Sequence, residues 1–383
     1  MNFFSSFFED TNCPCKGGCI TVISSVGLGI PPYEISQTEI KSIVKEIFSD
    51  RESRLVERLL PIFDHAEIDK RQFVVDSEWF RESHSFQEKN DLYHQLAIKH
   101  SLNAIDACLT DGDFLKQPVP YEAIDMFMFV SSTGISTPSL DTYIMNERPF
   151  REDAARMPLW GLGCAGGAIG LSRAFDWIKA HPEKNVLVIC CELCSLTFQK
   201  DDLQKSNLVG TALFGDGVGA ALLMGDNSAY LPYSKHTKPR IIQTSSATKK
   251  NSHDVMGWKV TNRGLEVIFS KRIPALVRSF WQQHTDQFLQ TVNINHQSIH
   301  SYIAHPGGRK VLEAMEDVLQ AAREKFKYSY DVLWDHGNMS SATVLYVLKK
   351  WMQTGITENQ FSILSALGPG FSSELLLLEW DKT

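Results

Sequence analysis

Three residues, Cys164, His305 and Asn338, stand where side chains can reach a ligand and have the types to share one reaction. Cys164 lies in PLWGLGCAGGAIGLSRAFDWIKA, where a glycine-rich turn hands a thiol to the start of a helix. A cysteine there faces unsatisfied N–H groups and the positive end of the helix dipole, which favours the thiolate. Glycine inside a helix costs up to about 1 kcal/mol relative to alanine, so Gly166, Gly167 and Gly170 call for close backbone packing or for chemistry. A buried structural thiol is the duller alternative, and this stretch does not choose between the two. His305 ends the apolar run YIA before Pro-Gly-Gly, and Asn338 lies in HGNMSS ahead of a helix expected over Ala342 to Met352. Alone, His305 suits a satisfied core histidine as well as a catalyst. Asn338 suits an N-cap, although Ser340 or Ser341 could cap that helix equally well.

Taken together, the three make a nucleophile with two hydrogen-bonding partners. Imidazole takes the thiol proton, and Cys164 attacks a thioester. A second thioester can then lose CO2 if its developing enolate oxygen receives hydrogen bonds from His305 and Asn338. One such donor is typically worth about 3 kcal/mol. The carbanion attacks the acyl-cysteine. A carboxamide serves this role better than a carboxylate, whose charge would repel the enolate.

The elements that must position these groups follow an α/β pattern. ITVISSVGLG, AIDMFMFVSST, NVLVICCEL and GVGAALLMG read as buried strands, with helices at TEIKSIVKEIF and LYHQLAIKHSLNAIDACL between them. The second half repeats the style. A helix from about Arg263 to about His284 precedes the strand SYIAHPGG, the helix RKVLEAMEDVLQAAREKF and the closing strands FSILSALGPGFSSELLLLEW. In a doubly wound arrangement, strand–helix loops converge at the carboxyl ends of the strands. The expected organisation is a tail over residues 1–19, one half over 20–235 carrying the cysteine, and another over 236–383 carrying His305 and Asn338. The polar stretch from Ala229 to Lys250, with two prolines, marks the boundary. Gly161, Gly163 and Gly166 match the dinucleotide pattern G-x-G-x-x-G, but that pattern needs a strand in front of it. ARMPLW, broken by Pro158, reads poorly as one. Cys191 and Cys194 read as core packing at a strand end, and Cys13, Cys15 and Cys19 lack a fourth ligand at a recognisable spacing, so no metal is expected.

The bulk properties narrow the partners. The 383 residues are 43% hydrophobic and 22% charged, enough for a sizeable core, and a net charge of -7 argues against general nucleic-acid or anionic-membrane binding. No apolar run approaches the roughly 18 residues of a spanning helix. The N-terminus lacks the basic start of a signal peptide. A cytoplasmic protein with its eight cysteines reduced is the expectation.

The blocks WGLGCAGG, NLVGTALFGDG, AHPGG, HGNMSSATVL and ALGPGFSSELLLLEW occur in an order that resembles the thiolase-fold condensing enzymes, specifically the type III polyketide synthases of the chalcone synthase group. The resemblance covers about residues 20 to 383. It implies an α/β thiolase-like fold with a duplicated βαβαβ core in five layers (αβαβα), a homodimer, and coenzyme A thioesters as substrates with no other cofactor. It carries the catalytic roles onto Cys164, His305 and Asn338. It also makes Phe214 a gatekeeper, puts Val267 where plant enzymes carry phenylalanine, and puts Thr137 where a methionine is offered across the dimer. Thr197, Trp258 and Ser340 fall at pocket positions, and Arg54, Arg58, His65 and Gly307 at coenzyme A positions. The lost aromatic wall at Val267 and the short Thr137 imply space for a medium- to long-chain fatty acyl starter, extended by malonyl-CoA to alkylpyrones or alkylresorcinols. β-Ketoacyl-ACP synthase III is the rival within the fold, set back by Phe214 and ALGPG. A non-catalytic acyl-CoA-binding protein or a thiol hydrolase is the rival outside it. Starter length, the number of extensions, the ring closure and the use of methylmalonyl-CoA stay open.

Overall fold

The computed structural model describes residues 20–48, 57–235 and 238–381. Nine strands form one mixed sheet: β1 (Thr21–Gly29), β4 (Met126–Ser131), β5 (Ala155–Trp160), β6 (Asn185–Leu193), β7 (Asp216–Gly225), β8 (Lys238–Thr248), β11 (Ile299–Ala304), β12 (Gln360–Gly368) and β13 (Ser372–Asp381). Two antiparallel pairs stand apart, β2 (Tyr33–Ser36) with β3 (Lys70–Phe73) and the hairpin of β9 (Met256–Thr261) with β10 (Gly264–Phe269).

The strand order β11-β12-β13-β8-β1-β7-β6-β4-β5 is a duplication about the β8–β1 seam. On one side β1 pairs β7 antiparallel, β7 pairs β6 antiparallel, and β6 pairs β4 parallel. On the other side β8, β13, β12 and β11 repeat those directions in turn. At the seam itself only Thr21 and Val22 are in register with Ile241 and Arg240. β4, β6 and β7 are buried along their whole length, as strands covered on both faces must be.

Two helices fill the space between the half-sheets. Gly166–Ala180 packs against β4, β6 and β7 and also against β12 and β13, while Thr343–Gln353 packs against β11 and β12 and also against β1 and β7. Their crossing explains the glycines. A Cβ on Gly167 would lie 2.3 Å from the carbonyl oxygen of Ser341, and one on Gly166 would lie 2.6 Å from a methyl of Val130. The long helix Phe86–Thr110, opened by a Ser85–Glu88 capping box, covers the outer face of β1, β7 and β6. A second core around Trp281, Tyr302, Leu312 and Leu375 lies beneath helices Gln282–Thr291 and Arg309–Leu319 on the other side. Helix, sheet, helix pair, sheet, helix: these are the five layers.

Four expectations change. ARMPLW is strand β5, which pairs parallel to β4 at the sheet edge, where a proline leaves no hydrogen bond of the ladder unmade. The stretch Ala229–Lys250 contains β8, the first strand of the second half. No helix starts at Arg263; residues 264–269 form β10, entered through Gly264 at φ 117°. Ser340 and Ser341 do not cap the helix Thr343–Gln353. Instead the Met339 N–H donates to Thr343 Oγ1, and the Ser341 hydroxyl donates to Glu192 at 2.6 Å.

Candidate active site

Cys164 lies in a single 3-10 turn, Gly163–Ala165, between β5 and the helix Gly166–Ala180. Gly161 and Gly163 take positive φ, 85° and 47°, to make the chain turn, and the Gly163 N–H donates to Ser132 Oγ at 3.0 Å. Although β5 supplies a strand before the glycines, a phosphate has no room here. The helix start is filled by Val130, Ser341 and Val344, and the ALGPG turn closes it from another side, with Pro369 2.7 Å from a Cβ placed on Gly163.

Asn338 joins this turn to the other half of the molecule. Fully buried, it accepts from the Cys164 thiol at 3.8 Å and from the Ser340 N–H at 2.9 Å, while its amide nitrogen donates to the Gly307 carbonyl at 3.4 Å. Ser340 keeps that turn tight with φ 50°. His305, at the end of β11, is buried beside Gly307, and neither of its ring nitrogens has a hydrogen-bond partner among the described residues. An imidazole so placed is an unspent donor and acceptor. One N–H of the Asn338 amide goes to Gly307, and its second suits a ligand.

Burial shifts Cys164 and His305 toward their neutral forms. Burial pushes the Cys164 thiol up to about 12, with the Glu192 charge adding to the rise and hydrogen bonding with Ser340 and Asn338 opposing it. Burial also pulls the His305 imidazole down to about 3. The helix dipole therefore does not hold a standing thiolate here.

Cys164 opens on a chamber lined by Ser340, Phe214, Trp258, Val267, Met256 and Phe269 among others. A second cavity shares the wall formed by Cys194, Phe214, Trp258 and Val267. It runs to Ile40, Ile43 and Val44 of the helix Gln37–Ile47 and to Phe73, Phe80 and Phe198. The Phe214 and Trp258 rings lie 6.0 Å apart, and Trp258 is the register partner of Val267 across the β9–β10 hairpin. Thr197 also lines this inner cavity, its hydroxyl turned back to the Cys194 carbonyl.

The other expected positions scatter. Thr137 is exposed on the turn after β4 and lines neither cavity, Arg58 and His65 are exposed, and Gly307 is half-buried beside His305. Arg54 and Cys13, Cys15 and Cys19 lie outside the described residues. Sequence reasoning put Cys194 in the core with Cys191; Cys191 is there, but Cys194 faces both cavities. Arg71 and the helix Gln37–Ile47 also went unnoticed as parts of the site. Among the described residues no group of His, Cys, Asp or Glu is arranged to hold a metal ion, and no helix is long and apolar enough to cross a membrane.

This arrangement has close parallels. Residues 9–227 match the N-terminal domain of the chalcone and stilbene synthases, and residues 242–380 match their C-terminal domain. A chalcone-synthase-type protein of Bacillus subtilis (strain 168) is 45% identical over 361 residues, which cover 94% of this chain and 99% of that one. The 1,3,6,8-tetrahydroxynaphthalene synthase of Streptomyces peucetius is 29% identical, covering 94% and 93%. The crystal structure of the corresponding synthase of Streptomyces coelicolor A3(2), a bacterial type III polyketide synthase, superposes with a TM-score of 0.87 at 26% identity, covering 94% of this chain and all of that one.

Proposed function

This chain belongs to the chalcone and stilbene synthase family, the type III polyketide synthases, acyltransferases that join malonyl units by Claisen condensation, and on that premise we propose that its starter is a medium- to long-chain fatty acyl-CoA. The single-condensation rival is set aside by the membership itself. The starter is carried on Cys164. His305 accepts the thiol proton as the sulfur attacks the acyl carbonyl, and coenzyme A leaves. Malonyl-CoA then binds with its thioester oxygen toward His305 and Asn338. Loss of CO2 places charge on that oxygen, and the resulting carbanion attacks the acyl-cysteine, returning the sulfur and leaving a chain two carbons longer on coenzyme A. After further rounds the chain closes to an alkylpyrone or an alkylresorcinol.

The observation that carries this reading is the inner cavity beyond Phe214 and Val267. Ile40, Ile43, Val44, Phe73, Phe80 and Phe198 suit an alkyl chain, which gains about 0.8 kcal/mol per methylene buried. The exposed Arg58 and His65 would meet coenzyme A phosphates. A homodimer is part of the same reading. Thr137 and Ile135 are exposed next to Trp160, whose indole N–H donates to the Gly134 carbonyl at 3.0 Å, and this apolar edge suits a second copy.

The test is a series of acyl-CoAs of graded length incubated with labelled malonyl-CoA, followed by product masses. We expect activity to peak on fatty starters. Preference for aromatic starters, or a product built from malonyl-CoA alone, rejects the fatty-starter assignment.

A further inference from the structure

The helix Lys205–Leu213 delivers Phe214 to the chamber wall, and its C-terminal end is closed in an unusual way. A helix leaves its last carbonyls without intrahelical partners, and buried ones must find donors elsewhere. Here each donor comes from a distant segment. Arg71 Nη1 donates to the carbonyls of Thr211 at 2.7 Å and Phe214 at 2.6 Å. Gln37 Nε2 donates to the Ala212 carbonyl at 2.9 Å, and its own carbonyl accepts from Arg71 Nη2 at 2.7 Å. The Leu213 carbonyl accepts from the backbone N–H of Asn338 at 2.8 Å, and the Gly215 N–H donates back to the Asn338 carbonyl at 3.0 Å. The helix end is thus one ring of bonds containing Arg71, Gln37 and the backbone of Asn338.

Arg71 is the centre of that ring. It is 1% exposed and makes no ion pair among the described residues, with Asp216 attracting it from a distance. Burial pulls it down to about 9, which leaves it protonated at neutral pH. A cation at a helix C-terminus is favoured by the dipole. Its stem also sets the Asn338 turn. A Cβ on Gly337 would lie 2.7 Å from Arg71 Cδ, and Gly337 itself adopts φ 67°. Asp216 anchors the opposite side, accepting from the Val74 N–H at 2.8 Å and the Ser195 N–H at 2.7 Å.

We propose that Arg71 is a positioning residue that fixes the Asn338 amide and the Phe214 ring in relation to Cys164 by clamping the end of the helix Lys205–Leu213. The proposal rests on the role given above to Asn338 in decarboxylation. The backbone turn that carries Cys164 is held by a different set of contacts, Ser132 and the ALGPG turn, and only its thiol touches Asn338, at 3.8 Å. Weakening the clamp therefore affects the second partial reaction and spares the first.

Arg71→Lys keeps the charge but cannot serve two carbonyls and an amide from one planar fork. Two partial reactions are measured: acyl transfer to Cys164 by intact mass, from acetyl-CoA, whose acyl group is too short to fill the cavity that Arg71 lines, and malonyl-CoA decarboxylation by CO2 release. We expect decarboxylation kcat to fall on the order of a hundredfold, as displacement of a positioned group by about 1 Å can cause, with acyl loading and the KM for malonyl-CoA unchanged. Decarboxylation at the wild-type rate overturns the inference, and so does a parallel loss of both reactions in step with the melting temperature. If Arg71→Lys does not fold, Gln37→Ala decides: a smaller fall in decarboxylation with intact loading supports the clamp, and no fall overturns it. Asn338→Ala is the control. If it decarboxylates normally, or if the wild type takes no acyl group on Cys164, the active-site reading falls and this inference with it; a failure of Arg71→Lys alone fells only the inference.

Discussion

With the Cys164 thiol raised to about 12 and the His305 imidazole lowered to about 3, each by its burial, both side chains rest neutral. We expect the ultraviolet thiolate absorbance, taken as wild type minus Cys164→Ser, to be absent from about pH 6 to 9, where a cysteine titrating near its ordinary 8.5 would show a rising step. A constant thiolate signal across that range would mean a standing ion pair. Val267 gives a second prediction at this scale, because it stands in the wall shared by the two cavities. Val267→Phe should shorten the preferred starter, cutting kcat/KM for the longest acyl-CoAs about tenfold or more, equivalent to two buried methylenes, while short starters keep theirs. Equal losses at every length would contradict it. Cys164, His305 and Asn338 were legible because each interrupts an apolar pattern at a turn, where a polar side chain has little structural reason to be. Cys194 was not, since a thiol at the end of a buried strand satisfies the core and a cavity equally well. Arg71 was hidden by its neighbour: Lys70 beside it is an ordinary half-exposed cation, and strand alternation turns Arg71 inward.

Among the elements, the helix Gly166–Ala180 is the one whose sequence is most closely bound to its place. Gly167→Ala puts a methyl against the Ser341 carbonyl. We expect it to lower stability by about 1–3 kcal/mol or more, as overpacked cores do, whereas Gly112→Ala, with nothing within 4 Å of the added carbon, should be close to neutral in the same denaturant titration. Equal effects would mean the helices can separate without cost. The crowding was readable from the glycine run, but its cause, the Thr343–Gln353 helix crossing at Ser341, was not. β5 and β10 were misread for related reasons. Pro158 argues against an interior strand and says nothing against an edge strand. GLEVIF carries too few residues to separate a strand from the first turns of the apolar stretch that follows.

At the scale of the whole molecule, the alternation of strands and helices conveyed an α/β chain with two halves, while the pairing across β8 and β1 had no local signature, since two short registers leave no motif. The exposed edge at Trp160, 53% accessible in the single chain, belongs to this scale too. In sedimentation we expect the protein at twice its 43.2 kDa chain mass, and Trp160→Glu at the mass of one chain. A monomeric wild type would leave that edge without a partner.

The seam between the half-sheets is only two residue pairs long, yet each inner helix leans on strands from both sides of it. Cut between β7 and β8, neither piece would own a finished interior, for each would lack the surface against which its innermost helix is moulded. The two repeats serve as each other's scaffolding.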